Sequence, residues 1–194
     1  MAILYGISDS LLFLGKFLES GCQIVQYRPL SWALDDRSTP DFSFDRVLIN
    51  DSLSFATQVG ARGVHLGQQD LDRYNKDELV AYSGMLGIST HSPQEIERAM
   101  QYKPDYIAFG PIFNTNTKKV PFEPQGVSCL EKVVRSVGVP VVAIGGITRA
   151  NSLSVAETGV AAIASIGEIQ RLSSEEILSW TNELANYKSH LDLL

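Results

Sequence analysis

The sequence contains no long hydrophobic run. Its longest apolar stretches, at 140–144 and 161–166, have the length of single β-strands and fall far short of the roughly 18 residues that a membrane-spanning helix needs. The first residues also lack the basic start, apolar core and small-residue cleavage site of a secretory signal. We therefore expect a cytoplasmic protein with no membrane partner.

Cysteine and positive charge are also scarce. Cys22 and Cys129 form neither a CxxC pair nor a metal-ligand spacing, which predicts buried, unreactive thiols. Lysine and arginine number 16 against 22 aspartates and glutamates, so the formal net charge is −6. A general nucleic-acid surface needs a basic stripe, so the net charge argues against nucleic acid as a partner. A small phosphorylated ligand is compatible with this negative charge, because a local cluster of backbone amides, one or two cations and a metal is sufficient to bind it.

The remaining composition predicts one folded domain over residues 1–194. With 44% hydrophobic and 20% charged residues, the chain can bury a sizeable core. Eight strand-length apolar segments alternate with helical segments, at 3–8, 22–28, 46–50, 63–67, 85–90, 105–110, 140–146 and 161–167. This alternation in under 200 residues predicts a compact (β/α)₈ barrel, the TIM barrel, and an open doubly wound sheet is the alternative.

Several helix boundaries can be located from capping residues. Ser92 with Glu95, and Ser173 with Glu176, have the spacing of a capping box. Four glycines are placed to end helices in a left-handed C-terminal cap: Gly21, Gly60, Gly138 and Gly159. Residues 29–45, where the second helix of the barrel belongs, show little helical periodicity. We predict a loop or at most a short turn there, so that the second helix is reduced or missing.

Polar residues follow the predicted strands at their carboxyl ends, which in a parallel barrel meet at one face. Asp51 and Asp70 follow neighbouring strands, which would bring both carboxylates within reach of one cation. Such a pair suits Mg²⁺ bound together with substrate phosphates. N-capping of the helices that follow is the alternative for each of them. Arg28 and Lys118 are the cations best placed to face a diphosphate, although a charged residue at a strand end is often only solvated surface.

Two glycine-containing pairs suggest a phosphate site. Gly145-Gly146 and Ile166-Gly167 end the last two strands, where phosphate sites of such barrels form from backbone N–H groups. Tight packing at the strand-to-helix turns is the alternative.

The three histidines and the absence of common catalytic motifs limit the kinds of reaction that the sequence predicts. His65 lies inside a strand and is predicted to be packed or internally hydrogen-bonded, whereas His91 at a strand end is either a proton carrier or a partner of the next turn. No P-loop, GxGxxG fingerprint or nucleophile elbow occurs.

Four segments together resemble one known family. Residues 63–70 read GVHLGQQD, 86–92 read LGISTHS, 105–113 read DYIAFGPIF with TNTK at 115–118, and 142–147 read VAIGGI. In order and spacing this is similar to the thiamine phosphate synthase family, over about residues 48–169. The resemblance implies a magnesium-dependent transferase that condenses hydroxymethylpyrimidine diphosphate with hydroxyethylthiazole phosphate. The products are thiamine phosphate and diphosphate.

The resemblance also implies a role for each matching residue. Asp51 and Asp70 would hold Mg²⁺, and Arg28 and Lys118 would be catalytic by stabilising the departing diphosphate. The residues implied to contact the pyrimidine diphosphate are Gln26, Arg28, Asn50, Ser89 and Lys118. The residues implied to contact the thiazole phosphate are Thr115, Asn116, Thr117, Gly146, Ile166 and Gly167.

The chain departs from the family pattern after its second predicted strand. Family members carry a lysine two residues after the arginine, and this chain has Leu30 there. Two alternatives therefore stay open: a thiazole phosphate tautomerase, with His91 matching the acid–base histidine of that branch, and a barrel that binds thiazole or thiamine phosphates without turnover. The retained Asp51 and Asp70 favour the synthase. We expect only small-molecule partners, and a homodimer is left open.

Overall fold

Eight parallel strands form a closed barrel in a computed structural model that describes residues 1–30, 41–115 and 123–193. Each strand pairs with the next along the chain, and the eighth pairs with the first. The strands are β1 Ile3–Ser8, β2 Ile24–Tyr27, β3 Val47–Asn50, β4 Gly63–Leu66, β5 Met85–Thr90, β6 Tyr106–Phe109, β7 Val141–Ile144 and β8 Ala162–Ser165. The predicted (β/α)₈ barrel is confirmed. Most predicted strands were too long by one to three residues, because their ends extend past the paired register of the neighbouring strand.

The helices follow the strands along the chain. They are α1 Leu11–Glu19, α2 Leu53–Gln58, α3 Lys76–Val80, α4 Pro93–Met100, α5 Val127–Ser136, α6 Arg149–Ala156 and α7 Ser174–Leu184. Between β2 and β3 the described residues contain one 3₁₀ turn, Phe44–Arg46. Residues 31–40 lie outside the described residues, so the loop expected there stays a prediction. Across the described ranges, no helix is both long and apolar enough to span a membrane.

One of the two predicted capping boxes is present. Ser173 Oγ accepts from the Glu176 amide at 3.2 Å, and the Glu176 carboxylate accepts from the Ser173 amide at 2.7 Å. Ser92 Oγ likewise accepts from the Glu95 amide, but the Glu95 carboxylate accepts from the His91 amide instead. The capping box predicted at Ser92 is therefore wrong, because the Glu95 carboxylate accepts from His91 and not from the Ser92 amide.

Three of the four predicted glycine caps adopt the left-handed conformation. Gly21, Gly60 and Gly159 have φ of 96°, 63° and 85°. The prediction is wrong at Gly138, because α5 ends in an extended Val137 with φ −98° and ψ 146°, which already redirects the chain.

The buried residues form two layers. The outer layer fills the space between barrel and helices, and includes Trp180, whose indole N–H donates to Ser152 Oγ at 2.8 Å. Each fully buried large apolar side chain contributes about 1.5–3 kcal/mol to such a layer. The inner layer lies inside the barrel and holds Tyr5 and Tyr106 among aliphatic side chains. Buried polar side chains also stand on three consecutive strands, β2, β3 and β4: Gln26, Asn50 and His65. The barrel is therefore not filled by apolar side chains alone.

Candidate active site

A cavity of about 680 Å³ opens at the carboxyl ends of the strands. Residues from the ends of all eight strands, or from the turns that follow them, line it. This is the face on which active sites of such barrels are found. The eight predicted site residues that line this cavity are Gln26, Arg28, Asn50, Asp51, Asp70, Ser89, Thr115 and Ile166.

The other predicted residues are placed differently. Gly146 and Gly167 are not among the lining residues, although their neighbours Gly145 and Ile166 are. Asn116, Thr117 and Lys118 lie outside the described residues, as does Lys119. The roles of all of them stay predictions.

Asp51 stands at the turn between β3 and α2. Its backbone is left-handed with φ 62°, and its amide donates to the carbonyl of His65 at 2.9 Å. The hydroxyl of Tyr74 donates to the Asp51 carbonyl at 2.8 Å. Helix α2 is capped by Ser52, whose Oγ accepts from the Phe55 amide, so the capping alternative for Asp51 is wrong. The backbone bonds fix Asp51 at the cavity rim.

Asp70 opens a 3₁₀ turn, Asp70–Arg73, after β4. One carboxylate oxygen accepts from the Gly67 amide at 2.9 Å, and the other pairs with the Arg73 guanidinium at 2.9 Å. Helix α3 is capped by Asn75, so the capping alternative for Asp70 is wrong as well. The side chain of Asp70 is 12% exposed. Its carboxylate is therefore held in one orientation at the cavity wall.

The donor set of the cavity suits a hard divalent cation. Asp51 and Asp70 supply carboxylate oxygens from adjacent strands, which is the ligand chemistry of Mg²⁺. Within the described residues, no cluster of three or more His, Cys, Asp or Glu side chains would hold a metal by itself. This pattern fits an ion that completes its coordination with substrate oxygens and water.

Two arginines line the cavity together with these carboxylates. Arg28 follows β2, and its amide donates to the Ser8 carbonyl at 2.8 Å, which extends the β1–β2 pairing to the rim. Arg73 lines the cavity from the 3₁₀ turn after β4. The sequence reasoning missed Arg73, because it stands six residues beyond the predicted strand; its spacing of three from Asp70 was the available signal.

Comparison with known proteins gives the family. Residues 45–169 match the family model described as thiamine monophosphate synthase. The thiamine-phosphate synthase of Neisseria meningitidis serogroup B is 35% identical over 89% of this chain and 88% of its own length. That of Lawsonia intracellularis is 34% identical over 87% and 85%. The chain belongs to the thiamine monophosphate synthase family.

Solved structures agree with this family assignment. The thiamine phosphate pyrophosphorylase of Pyrococcus furiosus superposes with a TM-score of 0.71 at 26% identity, over 94% of this chain and 96% of that one. The pyrophosphorylase of Bacteroides thetaiotaomicron superposes with a TM-score of 0.66, but at 16% identity it shows the fold alone.

The position of the missing family lysine is open to solvent. Leu30 is 94% exposed, an unusual state for a leucine. Of the described residues, Arg28 and Arg73 are the cations that line the cavity. The cavity therefore holds a second cation in a different place from the family lysine.

The Gly145-Gly146 pair allows two loops to approach each other closely. Both glycines have positive φ, at 99° and 67°. A Cβ on Gly146 would stand 2.3 Å from the Asn114 carbonyl oxygen, and one on Gly145 would stand 2.5 Å from Pro111 Cα. The packing alternative for this pair is confirmed. A phosphate contact by the same turn stays a prediction.

His65 and His91 are hydrogen-bonded within the protein, and Cys22 is buried. His65 is buried and hydrogen-bonded through both ring nitrogens, as predicted. His91 Nδ1 lies 2.8 Å from the Glu95 carboxylate, so it bonds the next turn while lining the cavity. Cys22 is buried, as predicted, and burial raises the pKa of its thiol to about 12. Cys129 is only half-buried, so the burial predicted for it is wrong.

Proposed function

We propose that the protein is a magnesium-dependent thiamine phosphate synthase. It joins the methylene carbon of hydroxymethylpyrimidine diphosphate to the ring nitrogen of hydroxyethylthiazole phosphate. The C–O bond to the diphosphate breaks and a C–N bond forms, so diphosphate leaves as thiamine phosphate appears. The observation that carries this proposal is that Asp51, Asp70, Arg28 and Arg73 line one cavity together with neutral polar groups such as Gln26, Asn50 and Ser89.

The charges of the cavity suit departure of a diphosphate. When the C–O bond ionises, negative charge grows on the leaving oxygens, and fixed cations stabilise it without rearranging. Bound Mg²⁺ would supply further positive charge at those oxygens. Asp51 and Asp70 would hold the ion, and the hydrogen bond from the Gly67 amide fixes the orientation of the Asp70 carboxylate.

The neutral residues position the pyrimidine. Gln26 and Asn50 reach the cavity from β2 and β3, and Ser89 reaches it from β5. A carbocation formed next to the ring must be captured before water reaches it, so positioning contributes much of the rate. Lys118 is proposed as a further cation for the diphosphate. The proposed contacts of the thiazole phosphate are Thr115, Asn116, Thr117, Gly146, Ile166 and Gly167.

The most direct cellular test is complementation. Expression of this chain in a bacterium whose own thiamine phosphate synthase gene is deleted should restore growth without thiamine. A tautomerase or a non-catalytic binder would not restore it. Failure of a well-expressed chain to restore growth would contradict the proposal.

A cytoplasmic location and a homodimer are separate predictions, to be measured by cell fractionation and light scattering.

Arg73 is expected to replace part of the binding lost with the family lysine. In Arg73→Ala the affinity for inorganic diphosphate with Mg²⁺ should fall about tenfold, because a charge-assisted hydrogen bond is removed. The affinity for Mg²⁺ alone should stay equal or rise, because Asp70 loses a competing partner. Calorimetric titration of each ligand separates the two effects.

The matched control is Arg135→Ala. Arg135 is also an exposed arginine paired with a carboxylate of its own helix, at 2.8 Å, but it lies on α5 away from the cavity lining. Its removal should leave both affinities unchanged. Equal diphosphate affinity in Arg73→Ala and the wild type would remove Arg73 from the site.

A further inference from the structure

Five side chains form one continuous chain of hydrogen bonds across the barrel interior; we call them the barrel relay. Gln26 Nε2 donates to Tyr5 Oη at 2.8 Å, and Tyr5 Oη lies 3.2 Å from Tyr106 Oη. Tyr106 Oη lies 2.8 Å from His65 Nδ1, and His65 Nε2 lies 2.8 Å from Ser89 Oγ. The two ends, Gln26 and Ser89, line the cavity and are proposed contacts of the pyrimidine.

The two phenols of the barrel relay are almost fully buried, and Tyr5 and His65 also contribute to the cavity lining. Tyr5 and Tyr106 are 1% and 0% exposed, and burial raises the pKa of both phenols well above the ordinary value, so both are neutral. The ring of Tyr106 crosses the barrel only because Gly87 has no side chain: a Cβ there would stand 2.1 Å from the ring. His65 stacks on this ring with 5.6 Å between centroids.

The Gln26 amide sets the direction of the hydrogens in the barrel relay. A buried hydroxyl hydrogen needs an acceptor. Because Gln26 donates to Tyr5, the Tyr5 hydrogen must go to Tyr106, and the Tyr106 hydrogen must then go to His65 Nδ1. His65 therefore carries its proton on Nε2 and donates it to Ser89. The hydroxyl hydrogen of Ser89 is left to point into the cavity.

We propose that the barrel relay sets, as one unit, the hydrogen-bonding pattern that the cavity presents to the pyrimidine. With its amide nitrogen turned to Tyr5, Gln26 presents its carbonyl oxygen as an acceptor, and Ser89 presents a donor. An aminopyrimidine matches this pattern, because its exocyclic amine donates and its ring nitrogen accepts. Tyr5 is the positioning residue that links the two ends. This inference rests on the proposed function for the identity of the ligand.

The coupling through Tyr5 also defines which pyrimidines the cavity disfavours. A 4-oxopyrimidine offers a carbonyl acceptor and a ring N–H donor, so it needs the reverse pattern at both ends. Reversal of Ser89 alone leaves the Tyr5 hydrogen without an acceptor, and reversal of Gln26 alone leaves no hydrogen between Tyr5 Oη and Tyr106 Oη, which lie 3.2 Å apart. Either mixed pattern therefore costs one hydrogen bond of the barrel relay while Tyr5 is present.

The first test reads the His65 tautomer directly in the ¹⁵N-labelled wild-type protein. Imidazole ¹⁵N shifts should show His65 protonated on Nε2 alone, with the three histidines assigned from His91→Gln and His190→Gln variants. A His65 protonated on Nδ1, or on both nitrogens, would overturn the proposal. The measurement needs no substrate, so it stands even if the protein makes no thiamine phosphate.

The second test separates coupling from packing with Tyr5→Phe, which keeps the ring and removes the hydroxyl. We expect a mixture of His65 tautomers, a fall of about tenfold in kcat/KM for the aminopyrimidine diphosphate and weaker discrimination against the 4-oxo analogue. KM for the thiazole phosphate should not change. Tyr82→Phe, half-buried and outside the cavity lining, is the matched control. An unchanged tautomer and unchanged discrimination in Tyr5→Phe would overturn the role of Tyr5.

Discussion

Asp70→Asn should lower kcat about 100-fold at saturating Mg²⁺, a typical loss for a group that stabilises transition-state charge. Asparagine has the same shape and can still accept from the Gly67 amide, so the fold should be kept. The substitution removes one negative ligand from the proposed metal site, and the apparent affinity for Mg²⁺ should fall with kcat. Both are measured by following diphosphate release at increasing concentrations of Mg²⁺.

Asp72→Asn is the matched control for this variant. Asp72 lies on the same 3₁₀ turn, but its side chain is 72% exposed and pairs with Arg98. Its replacement should leave the magnesium dependence unchanged, and the thermal midpoints of both variants should stay close to that of the wild type. Normal turnover with normal magnesium dependence in Asp70→Asn would remove Asp70 from the metal site.

Arg28→Ala should lower kcat/KM for the pyrimidine diphosphate by about 100-fold or more. An arginine fork binds two oxygens of a diphosphate at once, and neither alanine nor water replaces this geometry. Arg28→Lys should recover only part of the loss, because a lysine offers a point charge. Binding of the thiazole phosphate, measured by calorimetry, should be unaffected.

The control for Arg28 is Arg62→Ala. Arg62 is exposed and precedes β4, and therefore lies at the opposite face of the barrel. Its loss should not change kinetics for either substrate. An equal loss of pyrimidine and thiazole binding in Arg28→Ala would indicate that Arg28 supports the cavity as a whole and not the diphosphate.

The barrel could be predicted because its strands are buried on both faces. Segments such as 140–146 and 161–167 read as continuous apolar runs separated by capping residues, which is typical of parallel sheets. Their ends could not be located, because the last residues of each run stay apolar after the pairing stops. The prediction of a cap at Gly138 was wrong for a related reason, because an extended Val137 ends α5 just as well as a left-handed glycine.

The rim of the candidate site could be predicted, but its interior could not. Residues at strand ends, such as Asp51 and Asp70, stand out because a polar side chain follows an apolar strand. Tyr5 and Tyr106 stand within strands, where an aromatic residue reads as ordinary core. Only the closed barrel brings two residues 101 positions apart into hydrogen-bonding distance. Arg73 was missed because a cation on a short turn gives no sign of facing inwards.

The measurement that tests the central claim most directly uses purified protein with both proposed substrates and Mg²⁺. The account predicts one diphosphate released for each thiamine phosphate formed, and no product when either substrate is omitted or Mg²⁺ is chelated. Thiamine phosphate formed equally well without a divalent cation would contradict the roles of Asp51 and Asp70. No thiamine phosphate from a folded protein that still binds the thiazole phosphate would contradict the synthase itself.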